Sequence, residues 1–458
     1  MRKTLLQATG LVAAMALLPA VTAGIAASDA DTYKQLDQFM AVFERVKADY
    51  VDKVDDKTLI KGAIDGMLAS LDPHSSYLDA HDFRNMKSTT EGSYGGLGLT
   101  VQMDDGAVKI VAATADTPAA RAGLKSGDYI TDIDGKLIYG DSLDDSVDRM
   151  RGDPGSKIRL TIVRPGRDKP FDVTLTREII QIKAVKWQVK DRVGIIDINS
   201  FSKVTGSEVK EAIAGIDKQV GGRPLGYVID LRENPGGLLD QAIDVSDSFL
   251  THGEIVSQRG REKSDIERYY AKPGDDAHGL PVVVLIDGGS ASASEIVAGA
   301  LQDQHRALVL GQRSFGKGSV QTLLPLSDDT ALRLTTARYY TPSGRSVQEG
   351  GIEPDIVVPQ LTDPDYKSSR PRLREADLRR HLINQAKVDN SLLEADPIPD
   401  PRFAIPPDQL KKAGITDFQL DYAVKTIARL GGGTTPAVPA TAATASPRPA
   451  AQSAPKMP

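Results

Sequence analysis

Two short segments of this 458-residue chain hold residue types suited to nucleophilic chemistry. The first, Val282–Ile296, reads VVVLIDGGSASASEI: an apolar strand, then glycines and serines, then the start of a helix. A hydroxyl placed there sits where unpaired backbone N–H groups cluster and can hold a developing oxyanion. Ser290, Ser292 and Ser294 all qualify. The same composition also makes an ordinary helix N-cap. The second segment, Ser314–Gln321, reads SFGKGSVQ, with Lys317 between Gly316 and Gly318. A lysine acts as general base only when neutral, which burial beside apolar groups promotes. Gln321 follows four residues later, a spacing that shares a face in a helix or a strand. It would hold the amine in line without adding charge.

Other chemistries fit less well. Gly311–Lys317 matches a phosphate-binding loop until Gly318 stands where Ser or Thr should hold magnesium. The frame Gly288-Gly289-Ser290-Ala291-Ser292 lacks the final glycine of an α/β-hydrolase elbow. Of the six histidines, His305 lies about one helix length beyond Ser292, an awkward distance for a Ser-His pair. No two histidines have close metal-ligand spacing, so no metal is expected. The absence of cysteine excludes disulfides, thiolate catalysis and a lipidated cysteine anchor. A net charge of −6 with both signs interspersed argues against a nucleic-acid partner.

The elements that must position these segments follow from periodicity. Residues 186–358 alternate buried strands (Val193–Ile198, Leu225–Ile229, Pro281–Ile286, Ala307–Leu310) with helical stretches at 205–218, 238–250 and 291–303, an α/β layered pattern. Helices are expected at 31–71, where Leu36, Phe39, Met40, Phe43 and Val46 form an apolar face, and at 370–390 and 416–430. Residues 92–177 read as a separate module. A glycine-rich loop, Tyr94-Gly95-Gly96-Leu97-Gly98-Leu99, leads into a strand, Asp134-Gly135 marks a hairpin, a helix follows near 143–151, and two strands close the segment. This module resembles a PDZ domain of the circularly permuted bacterial kind.

Five separated motifs, in order, resemble the carboxyl-terminal processing (tail-specific) proteases. They are Tyr94–Leu99, Asp230–Leu239 (DLRENPGGLL), Gly289–Asp303, Ser314–Gln321 and Thr336–Asp355. The resemblance covers residues 33–360. It implies a serine endopeptidase with a Ser-Lys dyad, needing no cofactor, on a crotonase-like layered α/β protease core with an inserted PDZ domain and helical N- and C-terminal regions. The implied boundaries are a signal peptide (1–27), an N-terminal helical region (28–91), the PDZ domain (92–177), the protease core (178–360), a C-terminal helical region (361–430) and a disordered tail (431–458). The family spacing from nucleophile to lysine is 25 residues, which selects Ser292. Ser290 and Ser294 stand 27 and 23 residues from Lys317 and fit worse. The resemblance makes Lys317 the base and Gln321 its orienting partner, with the amides of Gly237 and Ala293 as oxyanion hole. It assigns the loop Gly96, Leu97, Gly98 and Leu99 to a substrate's terminal carboxylate. The implied partners are proteins or peptides with free C-termini, with a homo-oligomer and an adaptor protein as further expectations.

The N-terminus points to export. Arg2 and Lys3 precede an apolar run from Leu11 to Val21 and small residues up to Ala27, the layout of a secretory signal peptide. The expected location is the periplasm, or the membrane surface if the segment is retained. The tail from Gly431, rich in Ala, Pro and Thr, lacks the apolar bulk to fold.

Overall fold

The computed structural model describes residues 31–363, 373–384 and 400–432. The expected signal peptide, most of the tail and part of the expected 370–390 helix lie outside these residues. The described chain forms two compact units. One joins residues up to Asp79 to Gln321–Thr335, and the other holds Ala80–Val320 and Thr336 onward.

In the smaller unit, residues 31–49 are helical, as their apolar spacing predicts, yet Leu36, Phe39 and Met40 remain exposed. A second helix, Asp56–Ala69, starts where the Asp55 carboxylate accepts the Thr58 N–H and ends ahead of Asp72-Pro73. Strand Ser76–Leu78 then pairs antiparallel with residues 331–333. Among the described residues no helix is long and apolar enough to cross a membrane.

The larger unit is built on a six-stranded sheet in the order Val185–Lys190, Val193–Ile198, Gly226–Asp230, Val282–Ile286, Ala307–Gly311, Ile356–Val357. The first pair is antiparallel and the rest are parallel. Parallel strands covered on both faces read as unbroken apolar runs, and Val282–Ile286 is buried at every position. Its side chains divide by the strand period. Val282, Val284 and Ile286 join the core that includes Ile213, Val245 and Val297 from helices Thr205–Val220, Leu239–Asp247 and Ala293–Asp303. Val283 and Leu285 point the other way, into a core with Phe418, Val424 and Ile427 from helix Phe418–Gly431. The sheet is thus the middle layer between helices.

Residues 99–176 form a second, antiparallel sheet with its own core around Ile110, Ile130, Leu160 and Ile162. Asp134 and Gly135 both have positive φ in the hairpin joining Tyr129–Ile133 to Lys136–Leu137, the geometry a two-residue type I′ turn needs. The pairing of Ser93–Gly96 with Glu178–Gln181 closes this module at its base.

The expected helix over 370–390 is not formed in its described part. Residues 373–384 hold one 3₁₀ turn, Glu375–Asp377, and are otherwise irregular. Tertiary bonds decide this. Glu375 is fully buried, its N–H donates to Phe315 O, and its carboxylate accepts from Gln348 Nε2.

Helix Phe418–Gly431 is pinned to the sheet by charge. Arg232 donates to both oxygens of Asp230 and of Asp417, and also to Gln419. Burial opposes the charge on Asp417, but Arg232 outweighs it and holds that carboxyl below its ordinary value. Removing one member of such a set strands the others. Arg232→Ala should therefore lower stability by about 3 kcal/mol in urea unfolding at neutral pH. A depressed carboxyl contributes stability above its unfolded-state pKa and loses it as pH falls through the folded one. The gap between variant and wild type should accordingly narrow in acid; a constant gap would show that the charges do not carry the effect.

Candidate active site

Strand Val282–Ile286 delivers the serine loop to one end of the parallel sheet, beside the turn that follows strand Gly226–Asp230. The two loops are stitched together. Asp287 Oδ1 accepts the N–H groups of Glu233 and Gly289, and Ala291 N–H donates to Asn234 O. Asn234, itself fully buried, fixes its own turn by donating to Ile198 O and accepting from Gly236 N–H.

The three serines have different fates. Ser290 Oγ donates to Leu231 O at 2.8 Å and Ser294 Oγ donates to Asn234 O at 2.9 Å, and both residues are fully buried. Their hydroxyl protons serve the loop. Ser292 is half-buried at the N-cap of helix Ala293–Asp303, with φ 54° and ψ −112°. Positive φ in a non-glycine residue is strained and is held only by its surroundings.

Much of that surrounding is Glu295, to which the sequence reading assigned no role. It sits in the first turn of the same helix and is fully buried. Its Oε2 accepts the N–H of Ser292 at 2.8 Å and of Lys317 at 3.0 Å. Its Oε1 accepts Ser314 Oγ–H at 2.6 Å and Gly316 N–H at 2.7 Å. Burial pushes this carboxyl up to about 7, against the opposing pull of these four donors. Tyr339 adds a second tie. Its hydroxyl lies against the carbonyls of both Ser292 and Lys317, and burial, then the Glu295 charge, raises it well above the ordinary phenol value. The sequence signal for Glu295 was the S-x-x-E spacing of a capping box.

Lys317 is half-buried in the irregular loop before strand Ser319–Pro325, and its Nζ donates to Ser319 O at 3.4 Å. Gly318 N–H donates to Gln348 Oε1. Gln321 belongs to the smaller unit, where its Nε2 donates to Thr335 Oγ1. His305 is exposed just beyond the far end of the Ser292 helix.

The glycine turn lies against the serine. A Cβ on Gly236 would come within 2.8 Å of Ser292 Cβ and 2.7 Å of Ala291 O. Gly237 is exposed, with φ 147°, and bridges Phe201. Among the described residues no acceptor takes the N–H of Gly237 or of Ala293.

In the antiparallel module, strand Leu99–Asp104 is the end strand and, among the described residues, pairs only with Ala107–Ala113. Leu99 and Val101, like Leu143 and Val147 of helix Leu143–Met150, pack against the module's buried core. At the strand's start Gly98 has φ 76°, and among the described residues the N–H groups of Leu97 and Gly98 have no acceptor.

Comparison with known proteins finds three matching family patterns. The pattern described as "Peptidase family S41" matches residues 192–358, and a PDZ domain pattern matches 109–164. Residues 17–82 match the N-terminal domain of the activating protease CtpB. The chain is 49% identical over 403 residues to a carboxy-terminal-processing protease of Bartonella bacilliformis, covering 88% of this chain and 93% of that protein. It is 35% identical over 381 residues to the carboxy-terminal processing protease CtpB of Bacillus subtilis, covering 81% and 78%. Among solved structures, the photosystem II D1 C-terminal processing protease is 29% identical, with a TM-score of 0.42, over 70% of this chain and 92% of that one. With close to half its residues identical across nearly the full length of such a relative, the chain belongs to the carboxy-terminal processing proteases, serine peptidases of family S41 that carry a PDZ domain.

Proposed function

We propose that this peptidase cleaves exported proteins near their C-termini with a Ser292–Lys317 dyad, and that its PDZ domain captures the substrate's tail. One observation carries the dyad: a single carboxylate oxygen of Glu295 accepts both the Ser292 and the Lys317 N–H. Residues far apart in sequence thereby become backbone neighbours. The commitment of Ser290 and Ser294 to backbone carbonyls supports Ser292 as the nucleophile.

The chemistry is acyl transfer. Neutral Lys317 Nζ takes the Ser292 Oγ proton as Oγ attacks the scissile carbonyl. The N–H groups of Gly237 and Ala293 receive the oxyanion. The Lys317 ammonium then gives its proton to the leaving amine, and the acyl-enzyme is released by water, with Lys317 again the base. A fluorophosphonate probe should label the wild-type protein at Ser292, by mass spectrometry of the modified peptide. Labelling at another serine, or none, would count against the assignment.

For the PDZ domain, the open edge of strand Leu99–Asp104 supports addition of a peptide strand, and the Leu97 and Gly98 N–H groups support a grip on its carboxylate. Hydrogen bonds to a charged acceptor contribute about 1.5–3 kcal/mol. Amidating a bound peptide's C-terminus should weaken its affinity by about tenfold or more in calorimetry. Equal affinity for acid and amide would remove the carboxylate role. The signal-peptide layout of residues 1–27 supports export, with the periplasm as destination.

A further inference from the structure

We infer that Glu295 is a positioning residue for the peptidase reaction: one buried carboxylate holds Ser292 in its strained backbone conformation and fastens the Lys317 loop to it. This rests on the Ser292–Lys317 reading and adds to it the part that sets the pair's geometry. In this role the Glu295 carboxylate acts through the backbone N–H groups of both residues.

The argument starts from what a carboxylate is: four acceptor sites on two oxygens and no donor when ionised. Four of the donors on Glu295 come from two segments, and the Tyr339 hydroxyl adds a longer contact at 3.4 Å. Ser292 N–H belongs to its own helix, and Ser314, Gly316 and Lys317 supply the other three. A helix cap alone would need only the bond from Ser292, and a Gln at the third helical position makes it equally well. The three bonds to residues 314–317 are surplus to capping. They cost the burial of a charge to which, among the described residues, no cation is hydrogen-bonded. Ser314 also accepts the Ile352 N–H at 2.6 Å, so its hydroxyl is fixed toward Glu295.

Glu295→Gln separates the two roles. The amide keeps the size and one acceptor but turns the other end into a donor. If its oxygen faces Ser292 and Lys317, the NH₂ meets the Gly316 N–H. If the amide is reversed, the NH₂ meets the N–H groups of Ser292 and Lys317. In either orientation the loop carrying Lys317 loses an acceptor. A displacement of about 1 Å at reacting groups can cost about 10²-fold in rate.

The test uses the full mature chain, a chromogenic peptide substrate and the fluorophosphonate probe. For Glu295→Gln we expect kcat about 10²-fold lower, KM within about threefold, and probe labelling slowed in parallel. PDZ peptide affinity and a cooperative thermal transition should persist. A kcat within about threefold of wild type would overturn the inference. Should Glu295→Gln show no thermal transition, Ser314→Ala decides. It keeps the carboxylate and removes one donor, and kcat should fall about fivefold, in line with one lost charge-assisted bond; an unchanged kcat overturns the inference. The dyad is tested separately. A fully active Lys317→Ala would remove the dyad whatever Glu295 does, whereas an inactive Lys317→Ala beside a fully active Glu295→Gln removes only the positioning role.

Discussion

Ser292→Ala and Lys317→Ala are each expected to lower kcat/KM for a peptide substrate by about 10⁴-fold or more, with the thermal transition intact. The size follows from covalent catalysis. Without Oγ no acyl-enzyme forms, and without a neutral amine the hydroxyl keeps its proton at pH 7. The two losses should not multiply in the double variant, because the proposed nucleophile and base would act as one unit. Neither side chain is part of the packed core, as both are half-buried and their backbone bonds survive truncation to alanine. His305→Ala serves as the contrast. That residue is exposed beyond the far end of the helix, and its variant should cleave within about twofold of wild type. Steady-state kinetics on the three purified variants decides. Full activity in Lys317→Ala would falsify the dyad.

The next largest effect is expected from adding a single methyl group to the glycine turn. At Gly236, φ is 100° and a Cβ would sit 2.8 Å from Ser292 Cβ and 2.9 Å from Ala293 N. At Gly237, φ is 147° and a Cβ would sit 2.2 Å from Phe201 O. None of these neighbours is the loose end of a flexible side chain, so the backbone must move. Gly236→Ala pushes directly on the residue proposed to attack, and Gly237→Ala turns away an N–H proposed to receive the oxyanion. Loss of one oxyanion donor costs about 10²–10³ in kcat. We expect a loss of that order in each variant, with a lower melting temperature as well. Wild-type kcat in Gly237→Ala would take its N–H out of the mechanism.

Much of this was written in the sequence. The apolar runs at Val193–Ile198 and Val282–Ile286 read as buried strands, and both lie in the central sheet. Asp134-Gly135 carries its own turn geometry, because few other residue pairs accept two positive φ angles. The choice among Ser290, Ser292 and Ser294 was not local. Composition is the same around all three, and only kinship spacing, then the hydroxyl partners, separates them. Glu295 stayed hidden because a glutamate in the first turn of a helix is ordinary, and its partners at 314–317 are brought to it only by the fold. The helix expected over 370–390 shows the converse. Residues 373–384 have charged, helix-favouring composition, but bonds to Phe315, Gln348 and Glu349 hold the described backbone in another path.

The backbone at Ser292 carries one further consequence. Glycine would adopt φ 54° at little cost, whereas a serine there works against the folded state by about 1–3 kcal/mol. A lineage selected for thermal endurance alone would exchange this serine for glycine. The residue proposed as nucleophile is therefore one that selection for stability alone would discard.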